Sequence, residues 1–189
     1  LFFPAGKARD LRQSAVIESA SKPVVNSKPA ENVPLAEDCQ IVDYQPKQVT
    51  IEAQLVKPGM VVIDIGAHVG YYTLISARQA GPKGRVYAFE PDPDNHATLL
   101  RNIELNGYSN VVTARKAVSD RVGDAQLYLS ETASGNHSTY RHGLRESGRI
   151  PVETTTVDSM LEEVDWPHVD LVKIDVEGAE AAVLDGMTQ

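Results

Sequence analysis

One stretch restricts the possible folds of this chain more than any other. Met60-Val61-Val62-Ile63-Asp64-Ile65 runs without a break into Gly66-Ala67-His68-Val69-Gly70. A continuous β-branched run reads as a strand buried on both faces. The glycine-bounded turn leads into Tyr71, Leu74, Ile75 and Arg78 at helical spacing, and Gly81 is a C-cap. A second strand, Arg85 to Glu90, follows. Asp92 or Asp94 then caps a helix with the stripe His96, Leu99, Leu100 and Ile103, which Gly107 ends. Asn110 to Val118 reads as a third strand and Val169 to Val176 as a fourth, with a last helix from Glu177 to Met187. Strand alternating with helix implies a doubly wound α/β fold, Rossmann-like, with a parallel sheet and right-handed crossovers.

Between the third and fourth strands lies an insertion over 125–156. Ala125 to Leu129 and Ile150 to Thr156 read as an antiparallel pair around a polar loop, followed by a short helix from Val157 to Val164. Residues 1–48 carry five prolines among Ser, Lys, Asn and Ala without sustained apolar periodicity, and read as an extended arm. A substrate-side lid is the functional alternative for that arm. The domain proper is expected over 49–189, with Val49 to Val56 as a leading helix.

Composition excludes several classes. At 189 residues, 42% apolar and 23% charged, the chain has room for one globular domain with a core. No apolar run approaches the ~20 residues of a membrane span, and Pro4, Lys7 and Arg9 interrupt the opening as a secretory signal. Cys39 stands alone, so a reducing, cytoplasmic compartment is expected. A net charge of −8 disfavours nucleic acid as a partner.

Strand, glycine turn, helix and a second strand ending in an acid suit an adenosine-like ligand. Gly66 would let backbone approach it, Gly70 would let the helix pack close, and Glu90, twenty residues past Gly70, could accept both ribose hydroxyls. The spacing is D-x-G-x-x-x-G rather than G-x-G-x-x-G, and His68 stands where a second glycine would admit a pyrophosphate. A ligand without phosphates is therefore expected, and Asp64 would favour a cationic one. This counts against an NAD-dependent enzyme.

The run from Val61 to Thr73 resembles the first motif of class I methyltransferases. Together with Phe89-Glu90-Pro91-Asp92-Pro93, Asn102-Ile103-Glu104-Leu105-Asn106, Ala117-Val118-Ser119-Asp120 and Lys173-Ile174-Asp175-Val176-Glu177-Gly178-Ala179-Glu180, it resembles the FkbM-type family over roughly residues 55–187. His68 departs from the Asn often found there. The resemblance implies S-adenosyl-L-methionine as cofactor and O-methylation of a hydroxyl on a sugar or other small metabolite. By position, Asp64, Gly66, Ala67, His68, Gly70 and Tyr71 would line the methionine end. Glu90 would hold the ribose, Pro91 and Asp92 would border the adenine, and Ala117 and Val118 would face its ring. A catalytically inactive cofactor-binding module is the alternative from another class.

Lys173, Asp175 and Glu177 point to one face of a strand whose other face is apolar, which implies either a structural ion pair or a site. Methyl transfer to an alcohol benefits from a general base. Asp175, Glu177, His68 and His137 are the candidates, with Lys173 beside them. No complete ligand set for a metal is visible. In the insertion, Asn136, His137 and Arg141 are candidates to bind substrate, Asn136 and His137 because the resemblance extends to that short motif. Trp166-Pro167 reads as packing. Class I methyltransferases have seven strands, so three are expected beyond Gln189, and the chain, which opens on Leu1, is read as a fragment. The fourth strand would then be an exposed edge open to self-association.

Overall fold

The computed structural model describes residues 2–4, 55–131, 134–140, 146–165 and 167–188. Its main sheet has the order β1-β8-β2-β3-β4. The strands are β1 (Phe2–Pro4), β2 (Val61–Ile65), β3 (Arg85–Phe89), β4 (Val111–Ala114) and β8 (Leu171–Ile174). β2, β3, β4 and β8 run parallel, with Ile63 beside Tyr87 and Ile65 beside both Phe89 and Ile174. The chain steps outward from β2 to β3 and β4, then returns to place β8 on the other side of β2. That reversal of direction opens a crevice at the carboxyl ends of the strands.

Helices cover both faces. On one, α1 (Tyr71–Ala80) packs Ala77 and Ala80 against Val62, Val86 and Leu171. α2 (Pro93–Leu105) adds Leu99 against Ala67 and Ala88. On the other, α3 (Val157–Glu163) and α4 (Glu180–Asp185) bring Val157, Met160 and Val183 onto Ile63, Ile65, Val172 and Ile174. Sheet residues buried from both sides explain why the strands read as unbroken apolar runs.

Two polar residues break that rule. Asp64 is fully buried, and Lys173, its register neighbour on β8, is 3% exposed. Lys173 Nζ lies 2.9 Å from Asp64 Oδ1 and donates to the Gly66 carbonyl at 3.0 Å. Asp64 Oδ2 accepts from Thr73 Oγ1 on α1 at 2.6 Å. A buried charge pair is tolerated only when its remaining hydrogen-bonding capacity is met, and here β2, β8, α1 and the glycine turn meet it.

The sequence expectations hold for the order of the elements and fail at several boundaries. The third strand stops at Ala114. After Arg115 and Lys116, the chain resumes as β5 (Ala117–Val118) in a separate sheet of order β5-β7-β6. There β6 (Gly123–Ser130) and β7 (Glu146–Thr155) form the expected antiparallel pair, slightly displaced from 125–156. The fourth strand ends at Ile174, and the last helix begins only at Glu180. Glu177 and Gly178, with φ of 47° and 94°, form the turn between them. Asp92 is the cap of α2, accepting from the amides of Asp94 and Asn95. Leu100 does not belong to the buried stripe and is 47% exposed. β8 is not a bare edge either: Phe2–Pro4 pair antiparallel with Leu171–Lys173. Of the arm expected over 1–48, only those three residues are described, and most of the leading helix expected at 49–56, like Trp166, lies outside the described residues.

The pair gives a stability test. Lys173→Met leaves Asp64 buried without its cation and is expected to cost about 3–5 kcal/mol in urea unfolding. Adding Asp64→Asn, which keeps an acceptor for Thr73, is expected to recover part of that loss. A Lys173→Met protein within about 1 kcal/mol of the parent would show that the pair does not hold the sheet together.

Candidate functional site

The β2–α1 turn builds the floor of the site. Gly66 has φ of 79°, and a Cβ there would come within 2.0 Å of the Asp175 carbonyl oxygen. Its glycine is therefore demanded by the tip of β8 rather than, as expected, by a ligand. Gly70, φ 96°, does serve close helix packing, since a Cβ would meet Leu99 Cδ1 at 2.5 Å. His68 also adopts a left-handed backbone, φ 51°, and this aims its amide at Glu90. Asn102 on α2 secures the turn by donating to the Val69 carbonyl at 2.8 Å.

Glu90 lies just past β3 and is 6% exposed. Its Oε2 accepts from the His68 amide at 2.8 Å and its Oε1 from the Asp92 amide at 2.9 Å. Two backbone donors fix the plane of the carboxylate. Burial outweighs them and raises its pKa to about 7.

Two adjoining clefts share Gly66, His68, Gly135 and Asp175. The first, about 540 Å³, has Glu90 beside the largely apolar Phe89, Pro91, Ala117, Val118 and Leu127. The second, about 650 Å³, is polar and contains Tyr71, Tyr72, Asn136, Lys173, Asp175 and Glu177. A short 3₁₀ turn, Ser134–Asn136, spans both. Ser134 Oγ is 2.8 Å from His68 Nε2, its carbonyl accepts from Asn95 Nδ2 at 3.3 Å, and Ser138 Oγ donates to the Glu177 carbonyl at 2.7 Å.

Most expected site residues thus converge: Gly66, Ala67, His68, Tyr71, Glu90, Pro91, Ala117, Val118, Asn136, His137, Lys173, Asp175 and Glu177 all line these clefts. Four corrections follow. Gly70, packed against Leu99, lines neither cleft. Asp64 lies beneath the turn, committed to Lys173 and Thr73, and presents no carboxylate to a ligand. Asp92 spends Oδ1 on the cap of α2 and does not line the first cleft. His137 sits in the first cleft, which Asp175 also borders, and not in the second with Glu177. Its Nδ1 accepts from the Ser130 amide at 3.0 Å, and burial lowers its pKa. The neutral ring therefore carries its proton on Nε2 and is badly placed to take another. Arg141 lies outside the described residues. Tyr72, whose ring lies 5.0 Å from Lys173 Nζ, and Ser134 were missed; each acts through tertiary contacts that no local pattern signals.

The methyltransferase FkbM domain matches residues 64–189. The chain belongs to the FkbM methyltransferase family. Hexuronic acid methyltransferase AglP of Haloferax volcanii is 31% identical over 128 residues, covering 68% of this chain and 50% of that protein. The 2-O-methyltransferase NoeI of Sinorhizobium fredii is 31% identical over 153 residues, covering 72% and 60%. The chain thus spans about half to three-fifths of the length of these relatives. A solved SAM-dependent O-methyltransferase from Thermotoga maritima is 25% identical, covering 41% of this chain and 30% of that one, with a TM-score of 0.38.

Glu90 gives a pH test of the ribose-holding role expected from the sequence. In that role ribose hydroxyls would donate to the ionised carboxylate, so binding would oppose protonation and affinity is expected to rise as pH increases through 7. With a pKa of about 7, S-adenosylhomocysteine is expected to bind about tenfold more weakly at pH 6 than at pH 8. Glu90→Gln is expected to bind more weakly at pH 8 and to lose that dependence. Calorimetry at the two pH values distinguishes these outcomes, and a parent protein with equal affinity at both would contradict the assignment.

Proposed function

We propose that the chain carries the cofactor site and part of the acceptor site of an S-adenosylmethionine-dependent O-methyltransferase. The acceptor is a hydroxyl on a small polar molecule of the sugar class. The observation that carries this reading is Glu90, a buried carboxylate held flat by two backbone amides in a largely apolar cleft that adjoins a polar one. Such a carboxylate matches a ribose diol, the apolar walls match an adenine ring, and no bed for a diphosphate is built beside them, since His68 occupies the turn. The relatives named for hexuronic acid and 2-O methylation support a sugar hydroxyl as acceptor.

The cofactor supplies an electrophilic methyl on a sulfonium; this chain's residues must align and deprotonate the acceptor. In-line displacement requires the acceptor oxygen to approach from the polar cleft. Asp175 suits the task. Its carboxylate is 47% exposed, 3.7 Å from Lys173 Nζ, and borders both clefts. Lys173 is a positioning residue, occupied by Asp64 and the Gly66 carbonyl. Glu177 and Asn136 extend the polar wall on which a polyol can be oriented.

Calorimetric titration with S-adenosylhomocysteine and with NAD tests the cofactor, and tight NAD binding without a response to the former would sink this reading. Glu90→Ala is expected to weaken the former by about 1.5–3 kcal/mol, the value of a charge-assisted hydrogen bond. Transfer of a labelled methyl group to a panel of neutral and uronic sugars tests the acceptor. With an acceptor in hand, Asp175→Asn is expected to lower kcat about a hundredfold or more while leaving cofactor affinity within about threefold. Unchanged turnover would reduce Asp175 to a structural residue.

A further inference from the structure

The first cleft needs a side chain to read the edge of its base, and the residue placed there for it is already committed. Asp92 uses its carboxylate to cap α2. Glu90 faces the ribose position, and His68 and Ser134 engage each other. Lys116 reaches toward Glu153 at 3.8 Å, on the exposed side. His137 remains. It lies in the first cleft with Pro91, Ala117, Val118 and Leu127, and does not line the polar cleft that holds Glu177.

Its chemistry is fixed by its other nitrogen. The Ser130 amide, at the end of β6, donates to Nδ1 at 3.0 Å. Burial keeps the imidazole neutral by lowering its pKa, so the single ring proton resides on Nε2. Nε2 has no partner among the described residues and is not sealed from the cleft. Ser138, the next residue, is tied to Tyr128 through the backbone and to Glu177 through its hydroxyl, so the histidine is held on a braced segment.

Resting on the cofactor reading above, we propose that His137 is an adenine-binding residue, donating from Nε2 to a ring nitrogen of the base. A donor at this place selects a heterocycle with an acceptor on that edge. It also makes the insertion, rather than only the β3–α2 loop, part of the cofactor site. Its role differs from that of a general base or a substrate ligand, which would require it to serve the second cleft.

The test is calorimetry of the parent protein, His137→Gln and His137→Phe with S-adenosylhomocysteine and its 1-deaza, 3-deaza and 7-deaza analogues. The parent is expected to bind one of the three analogues about tenfold more weakly than S-adenosylhomocysteine, the effect of one neutral hydrogen bond. His137→Phe is expected to lose about the same factor toward S-adenosylhomocysteine and to bind that analogue no more weakly. His137→Gln, which retains an N–H donor, is expected to fall between them. A parent that treats all three analogues like S-adenosylhomocysteine, or a His137→Phe protein that still discriminates among them, would overturn the proposal. A parent that binds none of the four would instead overturn the cofactor reading itself.

Discussion

Asp64 and Lys173 are 109 residues apart in sequence and 2.9 Å apart in the interior, and the site is assembled around their contact. Strand register makes them neighbours, α1 satisfies the second aspartate oxygen, and the lysine's remaining reach holds the Gly66 carbonyl. The pair therefore sets the separation of β2 from β8, the orientation of the glycine turn and the path of the chain into Asp175. An apolar pair could fill the same volume with no loss of stability. What it could not do is fasten a carbonyl of the turn and place a positive charge near a cleft carboxylate at once.

Glu90 illustrates the opposite balance. Its two backbone donors lower its pKa and burial raises it, and burial prevails. Each of its oxygens accepts from a backbone amide, so its orientation is fixed before any ligand arrives. The neighbouring histidines follow from the same economy of donors. His68 bonds to the roof of the site, and His137 turns one nitrogen to the backbone and the other to the cleft.

Much of this could be read in the sequence because hydrophobic period and glycine punctuation agree between residues 60 and 107. Ile63 and Ile65 read as buried, Gly81 and Gly107 as helix ends, and Asp92 or Asp94 as a helix start, of which Asp92 is the cap. The errors arose where tertiary pairing decides. Nothing local shows that Asp64 lies opposite Lys173, so its carboxylate was assigned to a ligand instead of the core. Arg115 and Lys116 interrupt an otherwise good strand pattern too briefly to reveal that Ala117 has changed sheets. The position of His137 depends on how the insertion folds back, and the backbone amide that fixes its tautomer leaves no trace in residue order.

That change of sheets divides the molecule into two mechanically distinct parts. The main sheet carries the tightest constraint: Gly66 and the Asp175 carbonyl approach backbone to backbone, with no side chain between them to adjust. The insertion grows from β5, β6 and β7, which among the described residues pair only with one another. Its tip is tied to the turns of the main sheet, through Ser134 to His68 and through Ser138 to Glu177, so exchange is easiest along β6 and β7 themselves. In evolutionary terms the strand tips are a fixed frame, and β6 and β7 are the flank on which new sequence can be tried.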